Sequence, residues 1–224
     1  MKVLAIQSSA SMDWSLTRKL SNAFLERLIK SEPGIEIIHR DLVKDPPPFV
    51  NPDWISGAFS KIQLSVAQKK ALETSDLYIQ EVSEADIIIM ATPMYNYGMP
   101  ASLKAWFDQI ARVNKTFSFD LSRGDFPIEP ILSGRKLVAL TSSGEFGFEK
   151  GGAREEMNHL VPHIRSCAHY LGVDTKKDFF HIGIEYQEFK DDRHDESTAK
   201  AFASIDTVAR NLLNARAASR QHPR

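Results

Sequence analysis

The chain has 224 residues, of which 42% are hydrophobic and 25% charged, so it is long and apolar enough to bury the core of one globular α/β domain. Its formal net charge is −1, which excludes the strongly basic class of nucleic-acid-binding domains and gives no electrostatic reason to expect binding to an anionic membrane. We therefore expect neither a nucleic acid nor a membrane among its partners.

The first predicted strand, residues 2–6, leads into a turn rich in hydroxyl side chains and then into an amphipathic helix. Free amide N–H groups and the helix dipole make a helix N-terminus favourable for an anion such as phosphate. The turn lacks the glycine patterns of nucleoside triphosphate and dinucleotide sites, so a monophosphate is the better-matched ligand. Its candidate hydrogen-bonding residues are Ser9, Ser11, Ser15 and Thr17. The alternative is that Ser15 only caps the helix.

The second predicted strand, residues 36–42, is followed by three consecutive prolines, which interrupt regular structure. The segment from these prolines to Lys61 is long for a connection inside a compact domain, and such loops often carry function. Forming the wall of a substrate pocket and covering a sheet edge are both consistent with its sequence. A serine-capped amphipathic helix over residues 65–84 then leads into the third strand.

The third predicted strand is a continuous apolar run rich in β-branched residues, which is typical of a strand buried on both faces of a parallel sheet. Pro93 ends it, because proline cannot supply a ladder N–H group, and a helix with an apolar face begins at Pro100. Between them lies a loop of Met94, Tyr95, Asn96 and Tyr97. Ligands of open α/β sheets bind beyond the carboxyl ends of the strands, so this loop is a candidate site for a planar ligand with polar edges. The alternative is a connection whose tyrosines only pack.

A second glycine-containing loop follows the fourth predicted strand, residues 135–141. Glycine after a strand lets the backbone approach a flat ligand closely. The loop opens with Ser142, Ser143, Gly144 and Glu145. It is expected to lie at the same edge of the sheet as the tyrosine-containing loop.

The remaining elements complete an α/β alternation. We predict a helix over residues 154–172, a last strand over residues 179–184 and an amphipathic closing helix from Ser197. The charged run 190–196 is interpreted as a solvated turn. Residues 214–224 are basic without apolar periodicity and are predicted to form a disordered tail, so the domain covers residues 1–213.

The loops after three of these strands resemble the flavin-contacting segments of the FMN-dependent NADH azoreductases, a branch of the flavodoxin-like NAD(P)H:quinone oxidoreductases. Ser9 and the segment Ser15-Leu16-Thr17 match the phosphate-binding serines of that family. Residues 93–97 match its flavin-contacting loop, and Ser142 and Gly144 match its glycine turn. The resemblance implies a flavodoxin-like, doubly wound five-stranded parallel sheet in the order 2-1-3-4-5, with helices on both faces.

The same resemblance implies a function. It implies bound FMN, with NADH or NADPH as the electron donor and quinones and azo compounds as acceptors, in a ping-pong two-electron mechanism. The cofactor carries the chemistry, so no side chain is expected to be catalytic in its own right. The family also implies a homodimer, and Phe117 and Phe119 are candidates to line the substrate pocket, with plain hydrophobic packing as the alternative.

One position departs from the family pattern. Glu145 stands where the second glycine of the turn is usual, and this departure bears on the contacts to nicotinamide and substrate and not on FMN binding. A carboxylate near the flavin would disfavour the anionic reduced form and lower its potential, unless Glu145 points into water. The alternatives that stay open are a flavodoxin-type electron carrier, an NADPH-dependent FMN reductase and an interaction module without a cofactor.

Other classes of function have little support in the sequence. The seven histidines are scattered, and His159 and His163, four apart, lack a third ligand, so no metal site is expected. The first apolar run is too short for a signal peptide, and no run approaches the roughly 20 residues of a membrane span. The single cysteine, Cys167, excludes an intramolecular disulfide. A cytoplasmic location fits these features.

Overall fold

The computed structural model describes the backbone of residues 1–221 and the side chains of residues 1–214. One sheet has the strand order β2-β1-β3-β6-β7, and all its neighbouring strands are parallel. A separate antiparallel pair is formed by β4 and β5. The strands are β1 (Lys2–Gln7), β2 (Glu36–Asp41), β3 (Ile87–Pro93), β4 (Phe117–Phe119), β5 (Ile128–Pro130), β6 (Lys136–Ser142) and β7 (Phe179–Ile184).

The five-stranded parallel sheet confirms the predicted fold class and strand order. Because β4 and β5 belong to the separate pair, β6 and β7 are the fourth and fifth strands of the main sheet. The central strands β3 and β6 are buried along their whole length, as the continuous apolar run of β3 predicts.

Helices cover both faces of the sheet and form two cores. Successive side chains of a strand point to opposite faces, so Leu4 and Ile6 pack towards α3, α4 and α5, whereas Val3 and Ala5 pack towards α1 and α6. The helices are α1 (Leu16–Ser31), α2 (Pro52–Ala58), α3 (Val66–Glu84), α4 (Ala101–Ile110), α5 (Val161–Cys167) and α6 (Asp192–Gln221).

The excursion after the prolines contains a helix that the sequence did not reveal. Asn51 caps α2 by accepting a hydrogen bond from the Trp54 N–H group at 2.9 Å. The buried Trp54 indole donates to Gln109 Oε1 at 2.8 Å, and the Gln109 amide donates to the Pro48 carbonyl oxygen at 2.8 Å. The excursion therefore packs against α4, and α2 also contacts α3, where Gln68 donates a hydrogen bond to Ser56.

The helix predicted over residues 154–172 is wrong in its first part, whereas residues 161–171 are helical and end at Gly172 as predicted. Its first part is irregular around a short 3-10 turn, Glu155–Met157, and α5 begins only at Val161. Pro162 has no N–H group and is accommodated only in a first helical turn, which places the start of α5 immediately before it. A second 3-10 turn, Ala168–Leu171, follows α5.

The charged run 190–196 was predicted to be a turn, but α6 begins at Asp192, so most of the run is helical. Asp191 accepts a hydrogen bond from the Arg193 N–H group at 3.1 Å, and acidic side chains in the first turn are favoured by the helix dipole. Helix α6 is assigned to Gln221, past the predicted start of the tail. Residues 222–224 of that predicted tail lie outside the described residues.

Within residues 1–221, no helix is both long and apolar enough to cross a bilayer. In the same part of the chain, no three His, Cys, Asp or Glu side chains are grouped so that they would hold a metal ion.

Candidate functional site

The hydroxyl-rich turn lies between the carboxyl end of β1 and the first turn of α1. Ser9, Ser15 and Thr17 are buried, and the Ser15 and Thr17 hydroxyl oxygens lie 3.1 Å apart. Ser11 Oγ is buried without a hydrogen-bond partner among the described residues. A buried polar atom without a partner is costly, so these hydroxyls are well suited to an oxygen-rich ligand.

Ser15 also caps α1, as the alternative interpretation predicted. Its hydroxyl oxygen accepts a hydrogen bond from the Arg18 N–H group at 3.3 Å. The first turn of α1 contains no acidic residue, and its other N–H groups have no partner within the helix. Capping and anion binding are compatible, because a cap satisfies only part of the free N–H groups.

Arg18 holds the turn in place, a role that no sequence pattern indicated. Its guanidinium donates to the Ser9 carbonyl oxygen at 2.8 Å and to the Ser11 carbonyl oxygen at 3.2 Å. It also forms a two-point ion pair with Asp41 of β2, at 2.7 and 3.0 Å. Burial is the largest single influence on Asp41 and opposes its ionisation, but the hydrogen bonds from Arg18 and from the backbone N–H groups of Val43 and Lys44, with the positive charge of Arg18, together outweigh it and lower the Asp41 pKa.

The tyrosine-containing loop forms a tight turn with left-handed backbone. Tyr95 and Gly98 exchange two backbone hydrogen bonds, both 3.0 Å long, and the residues between them, Asn96 and Tyr97, have φ angles of 48° and 67°. This is the pattern of a type I′ turn. Asparagine tolerates this conformation, but tyrosine in it costs about 1–2 kcal/mol, so surrounding contacts must hold Tyr97 there.

Direct hydrogen bonds join this loop to the loops after β1 and β6. The Tyr95 hydroxyl oxygen accepts a hydrogen bond from the Ala10 N–H group at 3.2 Å. The Met94 N–H group donates to the Ser142 carbonyl oxygen at 2.7 Å. The structure therefore brings the three groups of predicted cofactor-binding residues to one edge of the sheet: Ser9 to Thr17, Pro93 to Tyr97, and Ser142 to Glu145.

The loop after β6 is held by backbone contacts. Ser142 and Ser143 are buried, and the Ser143 hydroxyl donates to the Glu145 carbonyl oxygen at 2.9 Å. A methyl group on Gly144 would lie 2.6 Å from the side chain of Glu188, so this position is tightly approached. This contact is with an exposed, flexible side chain that can move, so packing alone does not require a glycine here.

The Glu145 carboxylate is held by two side chains. One carboxylate oxygen accepts a hydrogen bond from the Tyr97 hydroxyl at 3.1 Å, and the other lies 3.1 Å from Nη2 of Arg154. The hydrogen bond to Glu145 raises the pKa of the Tyr97 hydroxyl. Arg154, which no sequence pattern singled out, thus offsets the charge that the departure from the family pattern introduces.

The two phenylalanines proposed for the substrate pocket lie away from these loops within the chain. Phe117 packs against Tyr170 with ring centroids 5.3 Å apart, and Phe119 is exposed in the β4–β5 pair. Tyr170 belongs to the 3-10 turn that follows α5. Directly after this turn, the Gly172 carbonyl oxygen accepts a hydrogen bond from the backbone N–H group of Arg135, the residue before β6. The two phenylalanines therefore lie near the amino ends of the strands of the main sheet. The chain reaches this end because α4 runs antiparallel to the strands.

A cavity of about 850 Å³ opens beside β7, between α5 and α6. Met94, Ser142 and Ser143 belong both to its lining and to the predicted site. Most of its remaining wall comes from side chains of α5, β7 and α6. No sequence pattern signals this cavity, because its walls come from elements that are distant in the chain.

His181 of β7 faces this cavity, with Nε2 lying 2.8 Å from Thr141 Oγ1. The residue is exposed on the cavity side, although protein atoms crowd around its imidazole ring. This burial, together with the positive charge of Arg165, lowers the pKa of His181 from 6.5 to about 4.

Acidification is expected to destabilise the fold through His181. The unfolded chain binds the histidine proton near pH 6.5 and the folded chain only near pH 4, so the free energy of unfolding falls as the pH drops through this window. The variant His181→Gln should show a flatter dependence between pH 6.5 and 4 in urea unfolding experiments. His39→Gln, on the opposite edge strand β2, serves as the matched control, and an equal flattening in that control would contradict the assignment to His181.

Comparisons with known proteins agree with this architecture. A family model described as a flavodoxin-like fold matches residues 1–207. The chain is 50% identical over 200 residues to an FMN-dependent NADH:quinone oxidoreductase 2 of Colwellia psychrerythraea, covering 89% of this chain and 90% of that protein. It is 52% identical over 199 residues to a protein of the same name from Idiomarina loihiensis, covering 88% and 82%. In fold it is similar to the FMN complex of an FMN-dependent NADH-azoreductase from Bacillus anthracis, with a TM-score of 0.80, 19% identity and coverage of 95% and 99%.

Proposed function

The chain belongs to the flavodoxin-like fold family and, within it, to the family of the FMN-dependent NADH:quinone oxidoreductases, and from this premise we propose that it binds FMN and transfers electrons from NADH to quinones and azo compounds. The observation that carries the proposal is the joining of three loops at one sheet edge. One of these loops leads into a helix N-terminus and contains a buried serine hydroxyl, Ser11 Oγ, that has no hydrogen-bond partner among the described residues. The family predicted from the sequence is confirmed.

The residues present fit FMN. The hydroxyls of Ser9, Ser11, Ser15 and Thr17 and the free N–H groups of α1 would bind its phosphate, without a charged partner. The left-handed turn at Asn96 and Tyr97 would offer backbone amides, a carboxamide and an aromatic ring to the flat flavin, a group with polar edges. The backbone of the loop after β6 would bind the other edge.

FMN, when bound, accepts two electrons from a nicotinamide donor and passes them to an acceptor. The role of the protein is to bind and orient. Arg18 holds the phosphate-binding turn through the carbonyl oxygens of Ser9 and Ser11, and the bond between Ala10 and the Tyr95 hydroxyl fixes the distance between the turn and the ring-binding loop. Preorganisation of this kind lowers the entropic cost of binding.

We extend the proposal to turnover and assembly. The nicotinamide donor leaves before the quinone or azo acceptor binds, in a ping-pong scheme, because both substrates must reach the same face of one cofactor. NADH is the expected donor, as the names of the relatives suggest. A cytoplasmic homodimer is expected, and a pocket across the subunit interface would be the setting in which Phe117 and Phe119 contact substrate.

The first experiment is a visible spectrum of the purified protein, followed by anaerobic addition of NADH and then of benzoquinone. We expect oxidised-flavin bands that bleach with NADH and return with benzoquinone, and parallel double-reciprocal plots in steady-state kinetics. Flavin bands that do not respond to NADH would favour an electron carrier. A colourless protein that FMN does not reconstitute would refute the proposal.

A further inference from the structure

The Glu145 side chain links two loops that the proposed function assigns to the flavin. It accepts a hydrogen bond from Tyr97, in the loop after β3, and it is itself part of the loop after β6. Its side chain is about one-third exposed, at 36%. The contact therefore lies at the surface edge of the site and not within the core.

Several contacts hold Tyr97 in its left-handed conformation, and only one of them involves its hydroxyl group. The Tyr97 carbonyl oxygen accepts a hydrogen bond from the His159 N–H group at 2.9 Å. Its ring packs against Phe148 with centroids 6.3 Å apart. The hydroxyl bond to Glu145 completes this set and fixes the direction of the ring.

Arg154 is itself held in position. Its backbone N–H group donates to the Gly147 carbonyl oxygen at 2.8 Å, and Nη1 donates to the Phe146 carbonyl oxygen at 3.2 Å. The guanidinium carbon lies 4.5 Å from the centre of the Phe146 ring. A cation fixed by its own backbone, a carbonyl oxygen and an aromatic face stays close to the Glu145 carboxylate.

We propose that Glu145 is a positioning residue, held between Tyr97 and Arg154, which fixes the left-handed turn and whose charge Arg154 balances, so that the pair leaves the reduction potential of the flavin nearly unchanged. The inference rests on the proposed function. A lone carboxylate at this edge would disfavour anionic reduced FMN, whereas a carboxylate paired with a fixed guanidinium presents almost no net charge. The pair thus allows a glutamate at the glycine position without the fall in potential that the glutamate alone would cause.

The electrostatic part predicts opposite effects of two single substitutions. Arg154→Met leaves the carboxylate unbalanced and should weaken the binding of reduced FMN about tenfold more than that of oxidised FMN, which lowers the two-electron potential by about 30 mV. Glu145→Gln leaves the guanidinium unbalanced and should raise the potential by a similar amount. The double variant should return to the wild-type value.

The positioning part predicts a different signature. Tyr97→Phe removes only the hydroxyl group, so it should weaken oxidised and reduced FMN about equally, by roughly fivefold, and leave the potential unchanged. Arg193→Met is the matched control, because Arg193 also lies over the Phe146 ring, at 5.9 Å, but makes no ion pair with Glu145. This variant should change neither the potential nor the FMN dissociation constant.

The measurements are dye-equilibrated redox titrations of each holoprotein and FMN dissociation constants from flavin fluorescence, with circular dichroism to confirm folding. Shifts of Arg154→Met and Glu145→Gln in the same direction, or no shift in either, would overturn the electrostatic part. Unchanged FMN binding in Tyr97→Phe would overturn the positioning part. If the wild-type protein does not bind FMN, the proposed function fails; if it binds FMN and all variants match it, only this inference fails.

Discussion

Replacing Ser15 by aspartate is expected to weaken FMN binding at least a hundredfold while leaving the free energy of unfolding nearly unchanged. Aspartate is as good a helix cap as serine, so it can still accept the hydrogen bond that Ser15 receives from the Arg18 N–H group. Its charge, however, would lie beside the phosphate. Two like charges about 4 Å apart repel by about 4 kcal/mol near a protein surface, and about 2.7 kcal/mol already corresponds to a hundredfold change in affinity.

Two further variants separate the capping and binding roles of Ser15. Ser15→Ala removes the cap and should cost about 1 kcal/mol of stability, with a much smaller loss of FMN affinity. Ser65→Asp places the same charge at the N-cap of α3, outside the three loops, and should leave FMN binding unchanged. FMN dissociation constants and urea denaturation check all three variants. Tight FMN binding by Ser15→Asp would show that the phosphate lies elsewhere.

Replacing Trp106 by alanine is expected to destabilise the fold by about 3 kcal/mol. Trp106 is completely buried in the core that α3 and α4 share on one face of the sheet, with ring centroids 5.1 Å from Phe107 and 6.4 Å from Tyr78. Removing a buried tryptophan typically costs about 3–5 kcal/mol. We expect the lower end, because the indole N–H group has no hydrogen-bond partner among the described residues and its loss relieves a buried unsatisfied donor.

Differential scanning calorimetry should show a fall of about 10 °C in the melting temperature of Trp106→Ala. Trp106→Phe is the control, because it keeps a ring and removes the unpaired N–H group, so its cost should stay below about 1.5 kcal/mol. The apolar face of α4 could serve either the core or a subunit interface. An alanine variant that dissociates without losing stability would contradict its place in the core.

The sequence was sufficient for the parallel sheet because its signal is local and strong. The strand before Pro93 is apolar at every position from Ile87 to Ala91, a pattern that only burial on both faces explains. Residues of the loops after β1, β3 and β6 could be assigned to one site because the carboxyl ends of neighbouring parallel strands lie at one edge. The geometry of a parallel sheet thus predicts which loops lie close together in space.

Local patterns failed where caps and tertiary contacts decided the structure. The helix predicted from residue 154 begins at Val161 because Pro162 tolerates only a first-turn position. Helix α2 was missed because seven residues between Pro52 and Ala58 show too little periodicity, and its stability comes from Asn51 and from burial of Trp54. Phe117 was linked to the site by resemblance, although α4 carries the chain to the opposite end of the sheet.

By itself the sequence determined the α/β alternation and the candidate loops, because hydrophobic periodicity and residue type act over short stretches of chain, and the resemblance of these loops to a known family implied the fold and the family. Only the tertiary structure decided which side chains hold these loops together. The pairing of Arg18 with Asp41, of Tyr95 with Ala10 and of Glu145 with Arg154 joins residues from different segments of the chain. An ion pair or a hydrogen bond depends on distances of a few ångströms, and those distances exist only after the strands have been brought side by side.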